Sequence, residues 1–174
     1  DGLLLKLEKN KFWFAQGDGH LFGWYKAHST DLDVEIKDPN VWVSQIQGPK
    51  SLELLNKIID NPFKGNFKYF DWEEVSIASE KVIVSRTGFT NELGWEIYIS
   101  PDNDARKIGD LLLEEGEKMG MLLTASPGFR GRRIEAGLLS AGRDFTKDRN
   151  PFSVGLGKFI DFNKGDFIGR EFLL

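Results

Sequence analysis

A chain of 174 residues with a formal net charge of −4, from 23 Lys and Arg against 27 Asp and Glu, has room for one compact domain or two small ones. That charge gives it no general electrostatic attraction to nucleic acid or to an anionic membrane. With 40% hydrophobic residues it can bury a core, while the absence of Cys excludes disulfides, thiolate nucleophiles and zinc ribbons.

Residues 3–7 and 11–15 are short apolar runs divided by Glu8-Lys9-Asn10, the pattern of a tight β-hairpin. A helix is predicted over residues 21–27, opening on Gly17-Asp18-Gly19. Residues 33–37 alternate and residues 41–46 form a β-branched run, with Asp38-Pro39-Asn40 as the turn of a second hairpin. Gln47-Gly48-Pro49 then leads into Leu52, Leu55, Ile58 and Ile59 at helical spacing, a run closed by Asn61-Pro62. Strands follow at 75–78 and 82–86, and again where Trp95, Ile97 and Ile99 share one face and Glu96 and Tyr98 the other.

Asp102, Asn103 or Asp104 caps a helix carrying Ile108, Leu111 and Leu112, with Gly116 and Gly120 as stops. A further helix is predicted over 127–139, and another strand over 158–162. Hairpins interleaved with helices define an α+β fold with mixed, mainly antiparallel sheets and packed helices. The chain lacks an initiating Met and opens directly on a strand pattern, so it reads as a piece of something longer. No apolar run is long enough to span a membrane and no signal peptide is visible, and the Cys-free composition fits the cytoplasm.

Several chemistries lack their residues. Gly17-Asp18-Gly19 is not completed into a dinucleotide fingerprint, because Phe22 stands where the third glycine belongs. Gly155-Leu156-Gly157-Lys158 lacks the earlier glycine and the Ser or Thr of a phosphate loop. His20 and His28 have no helical pairing and no Cys beside them, so no metal site is expected. Two segments carry more chemistry than structure requires. The first is Arg86-Thr87-Gly88-Phe89-Thr90-Asn91-Glu92-Leu93-Gly94-Trp95-Glu96, with an aromatic at a hairpin tip and a carboxylate opposite the core stripe. From the residues alone the favoured reading is an ordinary solvated strand carboxylate over a core Trp. The second is Arg130-Gly131-Arg132-Arg133, three guanidinium groups suited to carboxylate or phosphate, or else a solvated helix face with Arg132 and Glu135 paired.

These residues resemble the glycine cleavage T-protein family of folate-dependent aminomethyltransferases, whose signature is Arg-Thr-Gly-Tyr-Thr-Gly-Glu-x-Gly-x-Glu. The Glu92-Leu93-Gly94-Trp95-Glu96 variant looks like the folate domains of dimethylglycine and sarcosine dehydrogenases. Gln47-Gly48-Pro49, Arg133-Ile134-Glu135-Ala136-Gly137-Leu138, Asn150-Pro151-Phe152-Ser153-Val154-Gly155-Leu156-Gly157 and Gly165-Asp166-Phe167-Ile168-Gly169-Arg170-Glu171 match further family segments in the same order. The resemblance covers essentially the whole chain and is closest to the demethylating branches.

It implies a tetrahydrofolate-dependent one-carbon transferase, aminomethyltransferase or demethylase, with tetrahydrofolate as cofactor and a small methylated amine, sulfonium or methoxy compound as donor. It also implies lobes: residues 1–42 as part of a second lobe, 43–145 as a first lobe of βαββα type carrying the Glu96 hairpin, and 146–174 as a linker toward a C-terminal lobe. Surface left exposed by that missing lobe would favour pairing of two copies. Asp1 falls on the family's catalytic Asp, a carboxylate that stabilises positive charge on the donor. Glu96 matches the acid that holds the pterin, and Phe89 stands where the family has a Tyr near the folate. Gly17 falls on a family Asn, and Arg130 is the neighbour of Phe129, which takes the position of a family Arg. Two alternatives share the resemblance: a non-catalytic folate-binding scaffold, and the folate domain of a larger flavin-dependent dehydrogenase.

Overall fold

The computed structural model describes residues 2–17, 21–63, 66–124 and 126–174. They form two compact units, residues up to 138 and residues 139–174. The first unit opens with an antiparallel hairpin of β1 (Gly2–Glu8) and β2 (Lys11–Gln16), in which Leu5 is buried and faces Trp13. A short helix α1 (Phe22–Ala27) follows.

The second sheet has the order β3-β6-β5-β4, all antiparallel, from β3 (Trp42–Gln47), β4 (Trp72–Ile77), β5 (Glu80–Ser85) and β6 (Gly94–Ile99). Alternation along β6 sends Trp95, Ile97 and Ile99 into the core, where they meet Val82, Val84, Val75 and Ile46 from the other strands. Helices α2 (Ser51–Ile58) and α3 (Ala105–Lys118) cover that face through Leu54, Leu55, Ile58 and Ile108. Trp95 is sandwiched further by Phe63, stacked at 5.4 Å, and Phe67, edge-on at 5.3 Å. The opposite face of β6 presents Glu96 and Tyr98, as the alternation predicts.

Helix α3 starts where the sequence predicts a cap: the Asp104 side chain accepts from the backbone N–H of Lys107 at 3.0 Å. It ends in a left-handed Gly120 (φ 79°), with Gly120 N–H donating to Glu117 and Met121 N–H to Gly116, which closes the orphan carbonyls. Gly116, expected as a stop, lies inside the helix, where Met121 packs so closely that a Cβ would lie 2.3 Å from its methyl group. Asp104→Ala is expected to cost about 1 kcal/mol of unfolding free energy, measured in urea.

Two expected elements differ. Residues 33–37 form no strand, and β3 pairs with β6 rather than closing a second hairpin. Partnering β6 places Ile46 beside Trp95 and Ser44 beside Ile97 over the core, whereas Val34 remains 57% exposed and gives the local alternative no buried face. Residues 158–162 also form no strand. In the second unit Gly157–Phe159 is a 3₁₀ turn, and Phe162 stacks on Phe152 at 6.3 Å and packs against Phe167, so its aromatic contacts replace strand pairing. The predicted helix at 127–139 is α4 (Ser126–Glu135), ended by Gly137 at φ 70°. A last short helix, α5 (Arg170–Leu173), belongs to the second unit.

Candidate functional site

The non-core face of β6 carries the chemistry. Register sets Gln45 of β3 and Ser85 of β5 on either side of Glu96, and Val43 and Ile83 on either side of Tyr98. Gln45 donates its amide to Glu96 Oε1 at 2.8 Å. Thr87, just past β5, donates its hydroxyl to Glu96 Oε2 at 2.5 Å, and the Tyr98 hydroxyl donates to the same oxygen at 3.2 Å. Thr87 has spent its one hydrogen, so the 2.5 Å contact between the Ser85 and Thr87 hydroxyls is donated by Ser85. Ser85 and Thr87 are buried while Glu96 is partly open, so a chain of hydroxyls leads from the interior to a carboxylate at the surface.

Tyr98 is only 4% exposed, capped by Trp13 of the first hairpin at 6.3 Å between ring centres. Burial, reinforced by the adjacent Glu96 charge, pushes its hydroxyl up to about 12 against the lowering effect of Ser85 and Thr87. Tyr98 therefore remains a donor toward Glu96. In the unfolded chain the phenol ionises near the ordinary 10.0, so native tyrosine binds more protons above that pH and the stability it contributes falls as pH rises from 10 toward 12. Tyr98→Phe is expected to flatten that alkaline decline, read from urea midpoints between pH 9 and 12.

Tyr98 also forms one wall of a cavity of about 440 Å³, within the range of small-molecule sites. Trp13 and Phe14 of β2, Phe22 and Tyr25 of α1, and Val43 of β3 supply the other apolar walls, with Glu35, Lys37 and Asp38 among its polar lining. Phe14 and Tyr25 meet edge to face at 5.6 Å. The cavity joins a flat aromatic lining to a phenol bonded to a carboxylate acceptor. Its flat aromatic walls suit a planar ring, and the Glu96 carboxylate behind the Tyr98 hydroxyl is an acceptor for N–H groups.

A second cavity, of about 300 Å³, is lined by Gln47, Thr90, Glu92, Phe129 and Arg132 among others. Gln47 accepts from Thr90 at 2.6 Å, and its amide end fills the slot left by two glycines: a Cβ on Gly94 would lie 2.3 Å from Gln47 Oε1, and one on Gly88 2.6 Å. The motif glycines are thus required by close approach. Gly94→Ala is expected to cost about 1–2 kcal/mol by breaking the Gln47–Thr90 contact, and most of that cost should vanish in a Gln47→Ala background, tested by a double-mutant cycle.

Among the residues expected from sequence, Glu96 occupies the centre of the bonded cluster. Phe89 sits at the hairpin tip, 37% exposed. Gly17 directly follows β2, next to Gln16 in the first cavity's wall. Arg130 is exposed on α4 and lines neither cavity; Arg132 lines the second, held by Glu92 at 3.5 Å and by Glu135 at 3.4 Å. Asp1 lies outside the described residues. Sequence reasoning misses Gln45, Ser85 and Thr87 as site residues, although Thr87 stands within the Arg86 to Glu96 motif and Tyr98 shares the predicted face of Glu96. Among the described residues no cluster of three or more His, Cys, Asp or Glu is placed to hold a metal, and no helix is long and apolar enough to cross a membrane.

Comparison with known proteins gives consistent relatives. The chain is 38% identical over its full length to an aminomethyltransferase of Caldanaerobacter subterraneus subsp. tengcongensis, covering 48% of that protein. It is 33% identical over its full length to a trimethylamine-oxide aldolase of Ruegeria pomeroyi, covering 24% of it. Over 99% of its length it is 28% identical to the dimethylsulfoniopropionate demethylase DmdA of the same species, covering 47% of it. The chain thus spans about half or less of the length of these curated relatives. Residues 1–164 match the GCVT N-terminal domain, and the chain belongs to that family.

Proposed function

We propose that the protein carrying this chain moves a one-carbon unit, at the methyl or aminomethyl level, from a small methylated donor to tetrahydrofolate. The observation that carries this reading is Glu96: a carboxylate held by three donors, beside a phenol that walls an aromatic cavity of about 440 Å³. Membership of a family whose relatives include aminomethyltransferases and a demethylase supports it.

Tetrahydrofolate, when bound, supplies the ring nitrogen that takes up the carbon. The chain's own residues bind and orient. Glu96 accepts from the N–H edge of the pterin, as charge-assisted hydrogen bonds favour. Phe89 offers an edge or face but no hydroxyl. Asp1 is assigned the charge-stabilising role by the family resemblance; its chain neighbour Gly2 pairs with Gln16, a wall residue of the cavity. Gly17 and Arg130 are assigned to the cofactor side on the same basis. The donor in this reading carries its methyl groups on a positively charged centre, the charge that a carboxylate in the role assigned to Asp1 would stabilise. The names of two relatives, a dimethylsulfoniopropionate demethylase and a trimethylamine-oxide aldolase, fit that class.

The test is a donor screen on the protein at its natural length, with tetrahydrofolate and methylated amines, sulfonium compounds and methoxy-aromatics, following the one-carbon folate product. Transfer from at least one cationic donor is expected. Tight tetrahydrofolate binding with no transfer from any donor would instead assign the non-catalytic scaffold role.

A further inference from the structure

The hydrogen bonds on Glu96 divide its two oxygens unequally. Oε2 receives both hydroxyls, from Thr87 and Tyr98, each of them on a buried residue, and Thr87 is itself backed by the fully buried Ser85. Among the described residues, Oε1 receives only the amide of Gln45, an exposed residue on the sheet's edge strand. A carboxylate has about four acceptor positions. Three donors therefore leave it short of the two that an N–H and an amino group on one ring edge would need, and Gln45 is the partner that can be given up without exposing a buried group. Rotation of Gln45 into water costs its own amide nothing, because water replaces the bond. Loss of either hydroxyl would leave a buried polar atom unpaired.

Resting on the functional reading above, we infer that Thr87 and Tyr98 are positioning residues which commit Glu96 Oε2 to the protein, so that Oε1, covered only by the displaceable Gln45 amide, is the oxygen offered to the ligand. Tyr98 has a second consequence. Its ring is a wall of the aromatic cavity and its hydroxyl is on the carboxylate, so a ligand packed against that ring is brought to the same acceptor. Specificity for a ring edge with donors then follows from geometry: an analogue presenting an acceptor at that edge faces the only oxygen the clamp leaves free.

The experiment measures tetrahydrofolate dissociation constants on the full natural protein, with thermal melting of each variant alongside. Thr87→Val, which keeps shape and removes the donor, should weaken binding by about tenfold, and Thr87→Ser should restore it to within about threefold. Tyr98→Phe should weaken binding by about three- to tenfold, while Gln45→Ala should leave it within about twofold or tighten it. Glu96→Gln is the reference. If it loses affinity while Thr87→Val and Tyr98→Phe bind like the wild type, the clamp is wrong and the functional reading stands. If Thr87→Ser fails to rescue Thr87→Val, the hydroxyl is not what matters and the clamp is again overturned. If Glu96→Gln itself binds normally, the functional reading fails and takes the clamp with it. Should Thr87→Val not fold, Tyr98→Phe carries the comparison, since it removes one oxygen and leaves the ring contact with Trp13 in place.

Discussion

Glu96→Gln is expected to lower the affinity for tetrahydrofolate by about ten- to a hundredfold, the range that follows when charge-assisted hydrogen bonds are lost. The substitution keeps shape but replaces an acceptor pair by one acceptor and one donor. With its carbonyl oxygen kept under the Thr87 and Tyr98 hydroxyls, its new amino group takes the place of Oε1, where the exposed Gln45 amide can turn away. The ligand then meets a carboxamide of the wrong polarity. Global stability should change little, because Glu96 is partly open and makes no contact with the core on the other side of β6. Calorimetric titration beside a urea melt separates the two effects.

Trp95→Ala acts from the opposite face of the same strand. Trp95 is 1% exposed, with Phe63 and Phe67 against its ring and Ile46 opposite it on β3, in the same core cluster as Val84. Removing it opens a cavity that rigid β-sheet neighbours cannot refill, at a cost of about 3–5 kcal/mol. Against a typical total of about 5–15 kcal/mol for a domain, that leaves the first unit marginal or unfolded. The expected result is a urea midpoint lowered by a large fraction of its value, with tetrahydrofolate binding lost in parallel. Glu96→Gln, by contrast, loses binding with the midpoint preserved. Trp95→Phe, which refills most of the volume, should recover both properties in large part.

The alternation along β6 made its two faces legible in advance: Trp95, Ile97 and Ile99 to the core, Glu96 and Tyr98 away from it. The same holds for α2, where Leu55 and Ile58 repeat at helical spacing, and for the Asp104 cap. Those features depend on neighbours within a few residues. The partner of β3 was not legible, because it lies some fifty residues downstream, and the alternation at 33–37 offers a nearer strand pattern that buries nothing. The choice belongs to tertiary packing. For the same reason Gln45 was invisible as a partner of Glu96: its identity as a site residue comes from cross-strand register alone.

Arg130 shows the converse. A cluster of guanidinium groups is conspicuous in sequence, yet helical geometry turns Arg132 to the second cavity and Arg133 inward, where it donates to the Leu138 carbonyl at 2.8 Å. Arg130 remains on the exposed side of α4. The aromatic cavity is also beyond local reading, since its walls come from β2, α1, the 35–39 segment, β3 and β6. No single stretch of sequence carries that pattern.

The most direct test is a crystal structure of the protein with tetrahydrofolate bound. The account predicts a ring N–H of the ligand within about 3 Å of Glu96 Oε1, the Gln45 amide swung away, and the hydroxyls of Thr87 and Tyr98 still on Oε2. A ligand bound away from β6, with Gln45 and Glu96 still joined, would contradict it.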